Sequence, residues 1–254
     1  ERIFQRIRGT EMENNELIRY SEITWKNPRE IVLLRGSGCK WKKCSFCDYH
    51  MDYSPDEEAN FVLNREVLSH VTGRYKSLEV INSGSFCDLD EKTMEEILRV
   101  CKEKDIRELR FESHWIHRKK IADVRNFFGA HGITVRIKMG VETFDEEFRE
   151  KVMVKGMKGA SPEQIAEYAD EVCLLFGLTG QTLESMKYDI ETGLHYFQRI
   201  CINIMNENTT EIHPDLEVIC LFMENLFLQY RNHPRADILI ENTEFGVGGT
   251  EDEK

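Results

Sequence analysis

The chain has 254 residues, 41% of them hydrophobic, with 14 Phe and 8 Tyr; that suits one large domain or two small ones and excludes an intrinsically disordered chain. A formal net charge of −12 disfavours a protein that grips many phosphates of a folded nucleic acid, which needs a concentrated basic face. The longest apolar run, Val172 to Leu178, is too short to span a bilayer, and eight cysteines scattered over this length do not read as the dense framework of a small secreted domain. The first twenty residues are studded with charge and hold no hydrophobic signal region, so a reducing, cytoplasmic compartment is expected.

Short apolar runs alternate with longer amphipathic ones beyond residue 29. Residues 1–29 therefore read as an N-terminal extension and 30–254 as one domain. The first run, Ile31-Val32-Leu33-Leu34, predicts a buried strand. The loop leaving it holds Cys39, Cys44 and Cys47 in Gly38-Cys39-Lys40-Trp41-Lys42-Lys43-Cys44-Ser45-Phe46-Cys47. Three thiolates this close can surround one metal centre. A [4Fe-4S] cluster normally takes four cysteines, so three leave one iron open to something that is not protein. Two other readings stay open on spacing alone: a structural zinc site with His50 as fourth ligand, and ordinary free thiols.

Further strands are predicted at Leu78–Ile81, Leu109–Phe111, Thr134–Met139, Val172–Phe176, Ile200–Met205 and Ala236–Ile240. Between them, Met94, Ile97, Leu98 and Cys101 repeat at helical spacing, as do Ile121, Val124 and Phe128. Ser161-Pro162-Glu163-Gln164 is a helix start, with a capping Ser, Pro at the first helical position and Gln three residues on. A long last helix is expected over roughly residues 215–231, and Cys101, Cys173, Cys201 and Cys220 read as core thiols.

Strand–helix alternation with right-handed crossovers predicts an α/β fold, a parallel sheet with helices outside. Six or seven such units stop short of closure, so the expected architecture is an incomplete, partial TIM-type (β/α)6 barrel. Chemistry in such barrels gathers at the C-terminal ends of the strands. The cysteine loop, Asn82-Ser83-Gly84-Ser85, Glu112-Ser113-His114, Gly140-Val141-Glu142 and Gly177-Leu178-Thr179-Gly180 all follow strands and are expected to share one rim.

These segments, in this order, resemble the radical S-adenosylmethionine superfamily across residues 30–205. The cysteine loop, with Phe46 before its last cysteine, is similar to that family's cluster loop, though one residue longer than the usual Cys-x3-Cys-x2-Cys. Asn82, Ser83, Gly84 and Ser85 match the turn that receives the methionine amino group, and Glu112 matches a recurring polar residue near the cofactor. Glu142 stands in a segment like the one that touches the ribose, and Lys155 where a basic residue often meets the methionine carboxylate. Gly177-Leu178-Thr179-Gly180-Gln181-Thr182 resembles the family's Gly-Leu-Pro-Gly-Gln-Thr stretch. Within the superfamily, Arg35 to Cys44 followed by Asp48-Tyr49-His50 resembles the queuine lyase group.

The resemblance implies a [4Fe-4S] cluster on Cys39, Cys44 and Cys47, S-adenosylmethionine on its open iron, and a 5′-deoxyadenosyl radical. It implies a small 7-deazaguanine base as substrate, converted from queuine to 7-aminomethyl-7-deazaguanine, and a flavodoxin- or ferredoxin-type electron donor. A different substrate, such as a tRNA base or a porphyrin precursor, is the alternative within the superfamily; a zinc-stabilised nucleotide- or partner-binding protein is the alternative outside it. Phe46 is expected near the adenine. Asp48, Glu112, Asn203 and Glu207 are candidate acceptors for the base's adjacent N–H donors. His50 and His114 are candidates for proton transfer, Trp115 for shielding the radical, and Cys87 for hydrogen donation.

Overall fold

The computed structural model describes residues 17–240. The expected N-terminal extension up to residue 16, the segment from Glu241 to Lys254 and the side chain of His50 lie outside the described residues.

Seven strands run parallel, each beside its neighbour in the chain: β2 (Arg29–Leu34), β3 (Ser77–Asn82), β4 (Glu108–Ser113), β5 (Thr134–Glu142), β6 (Glu171–Phe176), β7 (Arg199–Ile204) and β8 (Ala236–Leu239). That sequential order is what repeated β/α winding in one hand produces. All seven predicted strands are present, one more than a six-unit barrel has. An eighth strand, β1 (Tyr20–Ile23), pairs antiparallel with β2 and extends that edge. Lys26, in the turn between β1 and β2, donates to the carbonyls of Arg231 and Ala236, both at 2.6 Å. One end of the sheet thus reaches the other through a side chain rather than a strand pair, giving a curled, partial barrel.

The connecting helices are α1 (Glu57–Leu68), α2 (Glu91–Glu103), α3 (Ile121–Gly129), α4 (Glu146–Lys151), α5 (Pro162–Ala166), α6 (Leu183–Tyr196) and α7 (Leu216–Phe222). The last continues through a π-helical turn, Met223–Phe227, into α8 (Leu228–Tyr230), so the long final helix is one rod with a local widening. The start expected at Ser161 is a reciprocal capping box, with Ser161 and Gln164 satisfying each other's backbone N–H. Among the described residues no helix is long and apolar enough to cross a membrane.

Alternation along each strand divides the sheet into two faces. Val32, Leu34, Leu78, Val80, Leu109, Phe111, Ile137, Val172, Leu174, Ile200 and Ile202 join the helices in one continuous apolar core, with Cys101 among them. The residues between them point into the barrel lumen, and many are charged. Glu79, fully buried, accepts from both Arg29 and Lys138. Burial alone would push its carboxyl up, but the two cations prevail and hold it below the usual carboxylate range. Arg110 bonds Glu171 at 3.1 Å and Ser77 at 2.5 Å, and Arg199 grips Asp237 at 3.0 and 2.9 Å. Cys173 and Cys201, expected as core thiols, share this luminal face as register partners beside Lys138.

Candidate active site

The cysteine loop leaves β2 and is fastened over the C-terminal rim by the elements around it. Ser37 N donates to the carbonyl of Asp88 at 2.8 Å. Trp41 Nε1 reaches the carbonyl of Val154 at 2.8 Å, and Ser45 bonds the carbonyls of Met153 and Val152. Asn208 Nδ2 holds the carbonyl of Phe46 at 2.7 Å, while Thr209 donates from both its backbone and its hydroxyl to Asp48 Oδ2. Three loops from different strands thus fix one segment that has no secondary structure of its own.

Cys39, Cys44 and Cys47 are electrostatic neighbours of one another, and Lys155 and Glu142 stand beside the latter two. Burial pushes the Cys44 thiol up to about 12 and raises Cys47 as well, with the Lys155 charge opposing. Ligation reverses that preference, because a metal binds the thiolate and releases the proton. Among the described residues no three His, Cys, Asp or Glu side chains converge as a single ion requires. An iron–sulfur cube asks for less convergence, since each thiolate sits on a different iron.

The turn after β3 packs under this loop. Asp88 takes the backbone N–H of Ser85 at 2.8 Å in a capping box, while the buried Ser83 hydroxyl has no partner among the described residues. A methyl group at Gly84 would collide with the Asp88 carboxylate and press on the backbone of Cys39 at 3.1 Å, so only glycine lets turn and loop approach. A buried hydroxyl with no partner among the described residues, in the turn that packs on the Cys39 backbone, suits a polar ligand group. The donor set and this cradle fit a cluster with an amino-acid-like ligand.

At the end of β5 a bulge between Gly140 and Glu142 turns the chain. Glu142, at φ 70°, pairs with Lys155 at 2.7 Å, both buried. A side chain at Gly140 would meet Glu142 Oε1 at 2.6 Å and Lys155 Nζ at 3.0 Å. Burial pulls the Lys155 ammonium down, but Glu142 and the thiols outweigh it, so it stays charged. Phe46 lies with its ring 5.6 Å from Lys155 Nζ and packs on Met153, Leu175, Leu178 and Met205, an apolar patch at the mouth of the lumen. Gly177 donates its N–H to Gln181 Oε1 at 3.0 Å, closing the turn after β6 beside that patch.

Asp189, on α6, accepts from Phe144 N at 2.6 Å and so holds the turn after Glu142; its second oxygen is buried without a partner among the described residues. Burial raises its carboxyl to about 7, and burial likewise raises Glu112, at the end of β4, to about 7. Between the ordinary carboxylate range and pH 7 the folded protein therefore keeps protons that the unfolded chain releases. For these two groups stability falls as pH rises through that window, while His114, lowered by burial, opposes the fall below the ordinary histidine range. Above that range the protein without cofactors is expected to melt roughly 5 °C lower at pH 8 than at pH 6.5, and Asp189→Asn to flatten the slope. A midpoint level or rising from pH 6.5 to 8 in calorimetry would contradict this.

Several predicted site residues take other places. His114 donates from Nε2 to the carbonyl of Lys155 at 2.9 Å, accepts from Ile116 N at Nδ1, and stacks on Trp41 with ring centroids 5.6 Å apart. Burial and the Lys155 charge push it down to about 3. With both nitrogens engaged it is a neutral brace rather than a proton carrier. Cys87 packs on the helix-side core near Lys120 and Asp123, its thiol raised to about 11 by burial, away from the lumen. Trp115 joins the same core, edge-on to Tyr168. Asp48 is spent on Thr209, and Glu207 is exposed and pairs with His213 at 2.8 Å. Glu112 and Asn203 face the lumen, by register with Lys138 and Leu175 respectively. Trp41 and Asp88 went unremarked in the sequence, although Ser85-x-x-Asp88 is a legible capping signal.

No protein-family profile matches the chain. A solved structure of a queuine lyase from Clostridium spiroforme, bound to SAM and queuine, is 42% identical and superposes with a TM-score of 0.87, covering 92% of this chain and 100% of that one. An uncharacterised protein of Methanocaldococcus jannaschii is 31% identical over 145 residues, 50% of this chain. The aligned part spans 38% of the length of that curated relative. The structure of Streptococcus suis SuiB, 13% identical with a TM-score of 0.50 over 83% of this chain and 49% of that one, shares the fold.

Proposed function

The chain belongs to the family of the queuine lyase, within the radical S-adenosylmethionine superfamily, and from that premise we propose that it removes the cyclopentenediol of queuine to leave 7-aminomethyl-7-deazaguanine. The identity of 42% sustained over 92% of the chain carries this reading. When bound, a [4Fe-4S] cluster and S-adenosylmethionine supply the radical chemistry, and the protein supplies orientation and the exclusion of competing reactions.

Those tasks fall to residues of the rim. Cys39, Cys44 and Cys47 would hold the cluster. The Ser83 hydroxyl and the backbone of Asn82, Gly84 and Ser85 would receive the amino end of S-adenosylmethionine. Lys155 has three N–H donors, one of them on Glu142, which leaves others for the ligand's carboxylate. Glu142 would meet the ribose. Phe46 and the apolar patch behind it, flanked by Gly177, close the mouth of the lumen against water. A small base enters the lumen, with Asn203 on its wall. A flavodoxin- or ferredoxin-type protein in a reducing cytoplasm is the proposed reductant, and residues 30–254 the proposed catalytic domain, edged by β1 from the N-terminal extension.

Anaerobic reconstitution with iron and sulfide is expected to give about four irons per chain and a brown thiolate band near roughly 400 nm. Reduced protein given S-adenosylmethionine and queuine should then form 5′-deoxyadenosine together with the aminomethyl base. Cofactor cleavage with queuine untouched would remove the substrate assignment, and stoichiometric zinc with no iron would remove the whole reading.

A further inference from the structure

The lumen wall is paired charge by charge, with one exception. Arg29 and Lys138 share Glu79, Arg110 has Glu171, Arg199 has Asp237, and Lys155 has Glu142. Glu112, half-buried at the end of β4, has neither a hydrogen bond nor an ion pair among the described residues. Its register partner is Lys138, whose ammonium is committed to Glu79. It therefore stands between the ion-paired floor and the Glu142–Lys155 pair at the rim, feeling charge from both. A carboxyl group so enclosed costs free energy unless something arrives to bond it.

The other acidic candidates drop out by occupation. Asp48 already accepts two hydrogen bonds from Thr209, and Glu207 is exposed on His213. Asp237 and Glu171 each hold an arginine. Around Glu112 the wall changes character: Leu33 and Ile81 are apolar on the strands to one side, and on the other the Glu142–Lys155 pair lies against Gly140. An apolar wall on one side and a carboxyl group without a partner among the described residues suit a planar heterocycle carrying adjacent N–H donors.

We propose that Glu112 is the residue that selects the substrate base, its two carboxylate oxygens accepting from a ring N–H and the neighbouring exocyclic amino group of a guanine-like edge. This rests on the proposed function and moves Glu112 from the cofactor to the substrate. Paired charge-assisted bonds give geometric selectivity as well as affinity, and a site built to meet a donor rejects the analogue that lacks it. The raised carboxyl supports the same assignment: a ligand bringing two donors stabilises the ionised form that burial disfavours.

The test measures binding by calorimetry on the reconstituted protein, using 7-aminomethyl-7-deazaguanine and the matching 7-deazahypoxanthine, which lacks the exocyclic amine. The parent is expected to bind the amine-free base roughly 100-fold more weakly. Glu112→Gln, whose amide offers one acceptor and an opposing donor, is expected to bind the aminomethyl base roughly 100-fold more weakly and to discriminate little between the two. Equal affinity of the parent for both bases would overturn the proposal without any variant. So would a Glu112→Gln protein that keeps its base affinity but loses affinity for S-adenosylmethionine. If the parent binds no deazaguanine base at all, the proposed function fails and this assignment with it.

Discussion

Cys44→Ala is expected to leave reconstituted protein with well under half its iron and to cut S-adenosylmethionine cleavage by more than roughly 1,000-fold, since a cluster normally held by four ligands would keep two. Cys44→Ser should fail as completely, because a hydroxyl does not ionise near neutrality as a metal-bound thiol does. Folding should survive both changes: the loop is held by Trp41, Ser45, Asn208 and Thr209 through hydrogen bonds that do not involve the thiol. The control is Cys87→Ala, which removes a thiol of the same chain on the helix side of the sheet, and whose iron content and turnover should stay within about twofold of the parent. Normal iron in Cys44→Ala would contradict the ligand assignment. A Cys87→Ala protein that binds iron and cleaves S-adenosylmethionine but makes no product would restore the hydrogen-donor role.

The contrast between these two cysteines shows what a sequence conveys and where it stops. Runs such as Val172–Phe176 announce buried strands because a parallel strand is covered on both faces, and all seven were legible. The strand Tyr20–Ile23 was not, because an edge strand of four half-buried residues needs no apolar run. Rim position was legible too: loops after strands of a β/α barrel gather at one end. The direction of each side chain was not, because one step along a strand or its following turn moves a residue from lumen to helix side. Glu112 looks into the barrel, whereas Trp115, three residues later, and Cys87, after the turn below the cysteine loop, pack outward. His114 illustrates a second limit. Its residue type suggests proton transfer, but its task is set by Ser85, Trp41 and Lys155, partners brought from three other segments. The luminal ion pairs were invisible for the same reason: Arg29, Glu79 and Lys138 lie in three separate strands and meet only when the sheet curls.

That trio gives the largest expected effect on stability. Glu79→Gln keeps the shape of the side chain but leaves Arg29 and Lys138 charged and buried without the carboxylate they share. Breaking such a pair costs about 3–5 kcal/mol, which for a chain of this size lowers the melting midpoint by roughly 10 °C. The pH dependence has a definite sign. The Glu79 carboxyl is held below its ordinary range, so its stabilisation is complete at neutral pH and fades as pH falls through the folded-state value; the gap between parent and variant should narrow in acid. The variant should also touch function. Lys138, released from Glu79, has Glu112 as its register partner on β4 and would turn to it. Glu112, which has no partner among the described residues, would then be neutralised from within, and affinity for the aminomethyl base should fall even at temperatures where the variant is folded. Lys138→Met in the same background removes that competitor, and base affinity should recover while stability rises in step. A Glu79→Gln protein melting within about 2 °C of the parent would mean the lumen admits enough water to solvate both cations, and the picture of a dry, ion-paired floor beneath the site would have to be abandoned.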